Sequence, residues 1–267
     1  MEIVLKNVSY KIFNNTSLER TVLNNISMSI REGKITAIMG TSGSGKSSLV
    51  QLIKGIINPT NGIIQITGDN NITTKEIGFV FQNNEDQFIG NNLREELGYY
   101  NIKIDLERIN IVLNDLGLNE KYIDIDISKL SSGELRKLAL ASILILDPKI
   151  LILDEPSIGI DSESKRKLVK LIKRLKNKYN KTIIIVSHDS EFIYDSSDYI
   201  FVLDKGNLVH QSQKYKLFKN SSLLTKYGLK IPNLVSIVDI INKKKNVDLE
   251  YRNDINDLVK DIYRYAR

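Results

Sequence analysis

The 267-residue chain contains no cysteine and only two histidines, His188 and His210. Without thiols it forms neither a disulfide nor a thiolate metal site, and it fits a reducing compartment. It also lacks a long apolar run. The longest candidate, residues 138–153, is interrupted by Asp147-Pro148-Lys149, and nothing approaches the ~20 uncharged residues needed to cross a bilayer. Met1-Glu2-Ile3-Val4-Leu5 has none of the basic segment, apolar core and cleavage site of a signal peptide. If the protein serves a membrane, another chain is expected to provide the membrane part. The charge balance excludes less. A net charge of +6 accompanies 26% charged and 42% hydrophobic residues. The basic residues are dispersed, apart from short clusters such as Lys243-Lys244-Lys245, so the excess reads as a solvated surface and no nucleic-acid partner is expected. The length suits one large α/β domain, with or without a small appendage.

What is present centres on Gly40-Thr41-Ser42-Gly43-Ser44-Gly45-Lys46-Ser47-Ser48. Gly40, Gly45, Lys46 and Ser47 fit the spacing G-x-x-x-x-G-K-[ST], between the apolar run Ile35-Thr36-Ala37-Ile38-Met39 and the helical Leu49-Val50-Gln51-Leu52-Ile53. Glycines let such a loop turn its N–H groups inward around a phosphate, and the following helix adds its positive end. Lys46 is placed to reach the outer phosphates and Ser47 to ligate Mg²⁺.

Residues 1–33 read as β structure, with a loop at Asn14-Asn15-Thr16 and a turn at Arg31-Glu32-Gly33-Lys34. A second turn, Pro59-Thr60-Asn61-Gly62, leads to the strand Ile63-Ile64-Gln65-Ile66, and Ile77-Gly78-Phe79-Val80-Phe81 forms another, ending at Gln82. From about residue 91 to 146 the apolar spacing is helical. Ile150-Leu151-Ile152-Leu153 and Thr182-Ile183-Ile184-Ile185-Val186 are buried-strand runs separated by a basic helix near 162–178. That alternation predicts a parallel sheet covered on both faces. A β pair turns at Asp204-Lys205-Gly206, and the chain beyond about 213 reads as helical.

Asp154-Glu155 closes an apolar strand. Beside a phosphate loop, the first acid suits Mg²⁺ and the second the polarisation of an attacking water. His188, after another buried strand, is placed to contact a γ-phosphate or hold that water, and Gln82 to coordinate Mg²⁺ and sense the phosphate. His210 has no such context. Leu130-Ser131-Ser132-Gly133-Glu134 precedes a helix and reads equally as an anion site or an ordinary helix cap.

Taken in order, the glycine loop, Gln82, Leu-Ser-x-Gly, Asp154-Glu155, Gly159-Ile160-Asp161 and His188 resemble the nucleotide-binding subunits of ATP-binding cassette (ABC) transporters over residues 1–215. The resemblance implies a P-loop NTPase fold of ABC ATPase type: a RecA-like parallel core, an antiparallel β subdomain, a helical subdomain at about 84–148, and a helical C-terminal extension at 216–267. It implies that two cassettes sandwich two ATP molecules, with Lys46 and Ser47 of one facing Ser131 and Gly133 of the other. In that family Glu155's position polarises the water, His188's is the switch histidine, and Asp161's communicates across the dimer. Val80-Phe81-Gln82-Asn83-Asn84-Glu85-Asp86-Gln87-Phe88-Ile89-Gly90 is similar to the ATPases of energy-coupling factor transporters, particularly the first of their two paralogues. So are Gly228-Leu229-Lys230-Ile231-Pro232 and the tail Asp254-Ile255-Asn256-Asp257-Leu258-Val259. This implies ATP and Mg²⁺ as cofactors and a position on the cytoplasmic face of the cell membrane. The implied partners are a second ATPase, identical or paralogous, a transmembrane coupling protein, and a substrate-binding membrane protein for vitamins or metal ions. Three positions depart from the family pattern. Ser132 replaces the first signature glycine, Glu134 a glutamine, and Ile12 the aromatic that stacks on adenine, with Tyr10 and Phe13 as nearby substitutes. The altered signature leaves a competing expectation, a nucleotide-gated assembly module that works by dimerising rather than pumping.

Overall fold

The computed structural model describes residues 2–67, 76–100, 105–247, 249 and 255–265. Met1 and Asp254, both quoted above, lie outside these, as do residues 101–104 within the expected helical region. Apolar and polar residues alternate along β1 (Glu2–Ile12) and β2 (Arg20–Arg31), burying Ile3, Leu5 and Val8 against Leu23, Ile26, Met28 and Ile30. Their antiparallel register shifts near Asn7 and Asn25, both with positive φ, which bends the pair. With β4 (Asn61–Thr67) they form a three-stranded sheet in the order β2-β1-β4.

The second sheet carries the chemistry. Its five-residue strands β3 (Ile35–Met39), β6 (Ile150–Asp154) and β7 (Thr182–Val186) are buried throughout, as continuous apolar runs require when both faces are covered. With β5 (Ile77–Val80), β8 (Tyr199–Asp204) and β9 (Asn207–Gln213) the order is β5-β6-β7-β3-β8-β9. All neighbouring pairs are parallel except the β8–β9 hairpin at the edge. The C-terminal ends of β5, β6, β7 and β3 therefore open on one edge, where ligands bind in such sheets.

Helix α1 (Lys46–Lys54) starts directly from the glycine loop. The helical region comprises α2 (Leu93–Tyr99), α3 (Leu106–Asp115) and α4 (Ser132–Ile145). Helix α4 buries Leu135 and an unbroken run from Leu138 to Ile145, so it is a core helix rather than a surface one. Helix α5 (Ser162–Tyr179) is amphipathic: Val169, Ile172 and Leu175 face the core, Asp161 caps its start, and Asn180 in left-handed geometry ends it. Helix α6 (Ser190–Ser196) follows β7.

The C-terminal part contains α7 (Lys214–Phe218), α8 (Ser221–Lys226), α9 (Asn233–Lys245) and α10 (Ile255–Tyr265). Packing runs straight through residue 215. Leu217, Phe218, Leu224, Leu229 and Val235 share one buried cluster with Ala37 and Met39 of β3 and Ile200 and Val202 of β8. Among the described residues, Val238, Leu249 and Leu258 form a separate small cluster. Among the described residues, no helix is long and apolar enough to cross a membrane.

Candidate functional site: a phosphate loop at the edge of a parallel sheet

The loop after β3 adopts a conformation that glycine alone makes easy. Gly43 and Gly45 have φ of +77° and +99°, the left-handed region. A Cβ on Gly40 would stand 2.3 Å from the Leu203 carbonyl oxygen and 2.5 Å from Ser44 Oγ, whereas one on Gly43 would meet nothing within 4 Å. Gly40 is thus fixed by the scaffold, and Gly43 borders open space. The β8–β9 turn braces the loop from behind, with the Gly206 N–H donating to the Ser44 carbonyl at 3.1 Å.

Lys46 is buried and donates its ammonium protons to the carbonyls of Gly40 and Thr41, both at 2.9 Å. Burial lowers its pKa, while the charges of Glu155 and Asp154 oppose that shift. Asp154, at the end of β6, is 7% exposed and its Oδ1 has no hydrogen-bond partner. Burial raises its pKa, the Ser47 hydroxyl bond lowers it, Glu155 raises it further and Lys46 lowers it. A buried, half-unpaired carboxylate beside a serine hydroxyl is a donor set that suits a hard cation. Among the described residues no three His, Cys, Asp or Glu side chains gather into a metal site.

Glu155 turns the chain sharply, with φ +48° outside the usual range for a non-glycine residue. The turn leaves its carboxylate against the end of β7. Oε2 accepts from Ser187 Oγ at 3.0 Å, and Oε1 lies 2.8 Å from His188 Nδ1. The backbone is tied there too, because the Glu155 N–H donates to the Val186 carbonyl at 2.8 Å. Asp189, which follows His188 beyond the end of β7, caps α6 and receives Lys165 Nζ at 2.5 Å. Burial opposes ionisation of Asp189, yet the Lys165 bond and the Phe192 N–H hold its carboxyl below the ordinary value.

A cleft of about 630 Å³ brings Lys46, Glu155 and His188 together, while Asp154 does not line it and instead borders a smaller adjoining pocket with Gln82 and Glu155. The cleft is lined by Gly40–Gly43, Gly45–Ser48, Gln82, Glu155 and His188, together with Val22, Ile158 and the segment Gly228-Leu229-Lys230. A second groove, about 720 Å³, lies between the two sheets around Arg31, Asp198 and Gln213 and contains none of these residues. Ser44, expected in the loop's contact set, is buried behind it with an unpaired hydroxyl. Tyr10 packs into the core and Phe13 is 63% exposed; neither lines the cleft, where Val22 is the apolar residue of the β1–β2 region.

Besides Ser44 and Asp154, three further expected residues, Ser131, Gly133 and Asp161, stand apart from the cleft. Ser131 caps α4 in a reciprocal capping box with Glu134. The Ser131 hydroxyl and N–H donate to Glu134 Oε2 at 2.6 and 2.9 Å, and Tyr122 OH donates to Oε1 at 2.5 Å. The Ser131 hydroxyl, Tyr122 and the Ser131 N–H together hold the Glu134 pKa at about 2. Helix α4 accordingly begins at Ser132, earlier than its apolar spacing implied. Gly133 would accept a Cβ without contact, so nothing among the described residues requires glycine there. Asp161 is occupied as the α5 cap, and the Ser164 N–H and hydroxyl with the Glu163 N–H bring its pKa to about 2.

Sequence reading missed Ser187, which holds Glu155; only its position beside His188 at a strand end could have marked it. It also missed the Lys165–Asp189 pair and the part of Gly228–Lys230 in the cleft.

The fold and this edge define a P-loop nucleotide-binding ATPase. Residues 23–158, about half the chain, match the ABC transporter family. The chain is similar to the energy-coupling factor transporter ATP-binding protein EcfA2 of Staphylococcus epidermidis, with 34% identity over 92% of each chain. It is likewise similar to EcfA3 of Oenococcus oeni, with 36% identity over 91% of this chain and 90% of that one. Among solved structures it resembles cbiO1 from Clostridium perfringens, part of the ABC transporter complex cbiONQ, with a TM-score of 0.70 and 27% identity. That likeness covers 89% of this chain and 98% of cbiO1. The ATP-binding cassette MJ0796, in a dimeric post-hydrolysis state bound to ADP and Pi, matches with a TM-score of 0.70 and 26% identity, covering 79% of this chain and 98% of its own. The chain belongs to the ABC transporter family and is an ATPase of its energy-coupling factor group. The relatives' names, EcfA2 and EcfA3, do not single out the first paralogue.

Proposed function

We propose that the chain is the ATP-binding subunit of a micronutrient uptake transporter, working at the cytoplasmic face of the membrane through proteins that span it. One observation carries the reading: four parallel strands deliver Gln82, Asp154-Glu155, His188 and the Gly40–Ser48 loop to the same sheet edge. Lys46 and the loop amides bind the phosphates of ATP. Ser47, Gln82 and Asp154 would hold Mg²⁺, which would supply Lewis-acid stabilisation of charge on the phosphates. The unpaired Asp154 Oδ1 supports that assignment. Glu155 accepts a proton from the attacking water, and Ser187 and His188 keep its carboxylate aimed at the edge. A fixed donor array of this kind is worth roughly 10²–10³-fold in rate per donor.

Ser131, Gly133 and Asp161 act on a partner's nucleotide, which accounts for their place outside this chain's own cleft. Glu134 already takes the Ser131 hydroxyl and N–H, and it adds a carboxylate where a triphosphate would dock. The half-site this chain donates is therefore the weaker of the pair, and a paralogous ATPase is the natural partner. Residues 1–215 form the cassette, 84–148 its helical subdomain and 216–267 an extension. The exposed Ile89 after Gln82 belongs to the segment that passes closure to the coupling protein. Reconstitution in vesicles with the membrane partners tests the reading: ATP added on the side bearing this chain drives accumulation of a vitamin or metal ion. Hydrolysis without any accumulation would favour a nucleotide-gated assembly module.

A further inference from the structure

The turn between α8 and α9 reaches into the ATP cleft, far along the chain from the phosphate loop. Gly228, Leu229 and Lys230 line the cleft beside Gly40–Gly43 and Lys46. The approach is close: a Cβ on Gly228 would lie 3.3 Å from Thr41 Cγ2, and Gly228 holds a φ of +64°. The turn is also fixed. The Gly228 N–H donates to the Thr225 carbonyl at 3.1 Å and the Leu229 N–H to the Leu224 carbonyl at 2.8 Å. Leu229 is 6% exposed and packs with Ala37 and Met39, on the strand that leads into the phosphate loop. Loop and turn are thus mounted on the same strand, with Lys230 exposed at the cleft wall. Among the described residues the other lysine lining that cleft is Lys46, whereas a nucleoside triphosphate carries several negative charges.

We propose that Lys230 is a nucleotide-binding residue: its ammonium supplies a second cation, from the C-terminal extension, to the polyphosphate held by Lys46. The proposal rests on the assignment of this cleft to ATP. It makes the extension part of the site on its own subunit, and it explains why Gly228 sits against Thr41. A partly solvated cation of this kind changes affinity by about 3- to 10-fold.

The test is equilibrium binding of Mg-ATP, ADP and adenosine to the full-length chain carrying Lys230→Ala, Lys230→Arg or Lys46→Ala, each first checked for an unchanged melting midpoint. Lys230→Ala weakens ATP about 3- to 10-fold, ADP less, and adenosine not at all, and Lys230→Arg restores most of the loss. The salt dependence of ATP binding becomes shallower in Lys230→Ala. Unchanged ATP affinity in Lys230→Ala, or equal weakening of ATP and adenosine, overturns the role of Lys230. Lys46→Ala distinguishes a failed role for Lys230 from a cleft that does not bind ATP. If it too binds ATP normally, the assignment of the cleft fails; if it alone loses ATP, only the proposal for Lys230 fails.

Discussion

Replacing Glu155 by glutamine removes its basicity and keeps nearly every contact the carboxylate makes. The amide oxygen can still accept from Ser187 Oγ at 3.0 Å, and the amide nitrogen can donate to His188 Nδ1 at 2.8 Å once that nitrogen is the acceptor. The Glu155 N–H bond to Val186 is untouched, so the left-handed turn stays tied. The variant therefore isolates proton acceptance from packing. A positioned general base contributes roughly 10²–10⁴-fold, so kcat in the assembled complex falls by about that factor. Lys46 loses one of the two charges that favour its protonation but keeps Asp154, and ATP affinity is expected to stay within about 3-fold, the scale of one partly screened charge. Phosphate release from Mg-ATP by the purified complex, with nucleotide affinity measured in parallel, gives both numbers. Turnover within about 5-fold of wild type would remove Glu155 from the role of base, since that lies below the general-base range. A loss of binding equal to the loss of turnover would show that the carboxylate serves nucleotide binding instead.

Phe218→Ala tests whether the extension is built into the core. The side chain is fully buried and its ring meets Tyr194 edge-on at 5.4 Å and 77°. Its truncation costs about 3–5 kcal/mol in denaturant titration, whereas under ~1 kcal/mol would mean that the extension packs independently. Lys214 sets a pH dependence. Burial is the main cause that lowers its pKa to about 8, so above that pH the folded state loses a proton that the unfolded state keeps to about 10.5. Protons bound by the unfolded state then exceed those bound by the folded state, and stability rises with pH across that window. The stability of wild type relative to Lys214→Met therefore increases between pH 8 and 10. A constant difference would contradict a depressed Lys214.

The parallel core was legible because burial on two faces demands unbroken apolar strands, and β3, β6 and β7 are written that way. Most of the site was legible for a related reason. A loop or acid pair directly after such a strand has one place to go, the C-terminal edge, so Lys46, Gln82, Glu155 and His188 converge without any knowledge of the helices. Contacts that depend on how a helix docks were not legible. Lys165 reaches Asp189 from one turn into α5, and Gly228 meets Thr41 only because α7 and α8 fold back over β8 and β3. The start of α4 was misjudged because its first turn is fixed by polar bonds between Ser131 and Glu134, which apolar periodicity does not register.

The proposed function requires this ATPase to act within a membrane complex and with a second ATPase. Gentle extraction of native membranes, purification through this chain, and identification of every co-purifying subunit address it directly, with ATP hydrolysis measured on the same sample. The expected recovery is a paralogous ATPase and an integral membrane coupling protein, with hydrolysis that is lost when the membrane subunits are removed. Recovery of a water-soluble complex with undiminished hydrolysis and no integral membrane protein would contradict it.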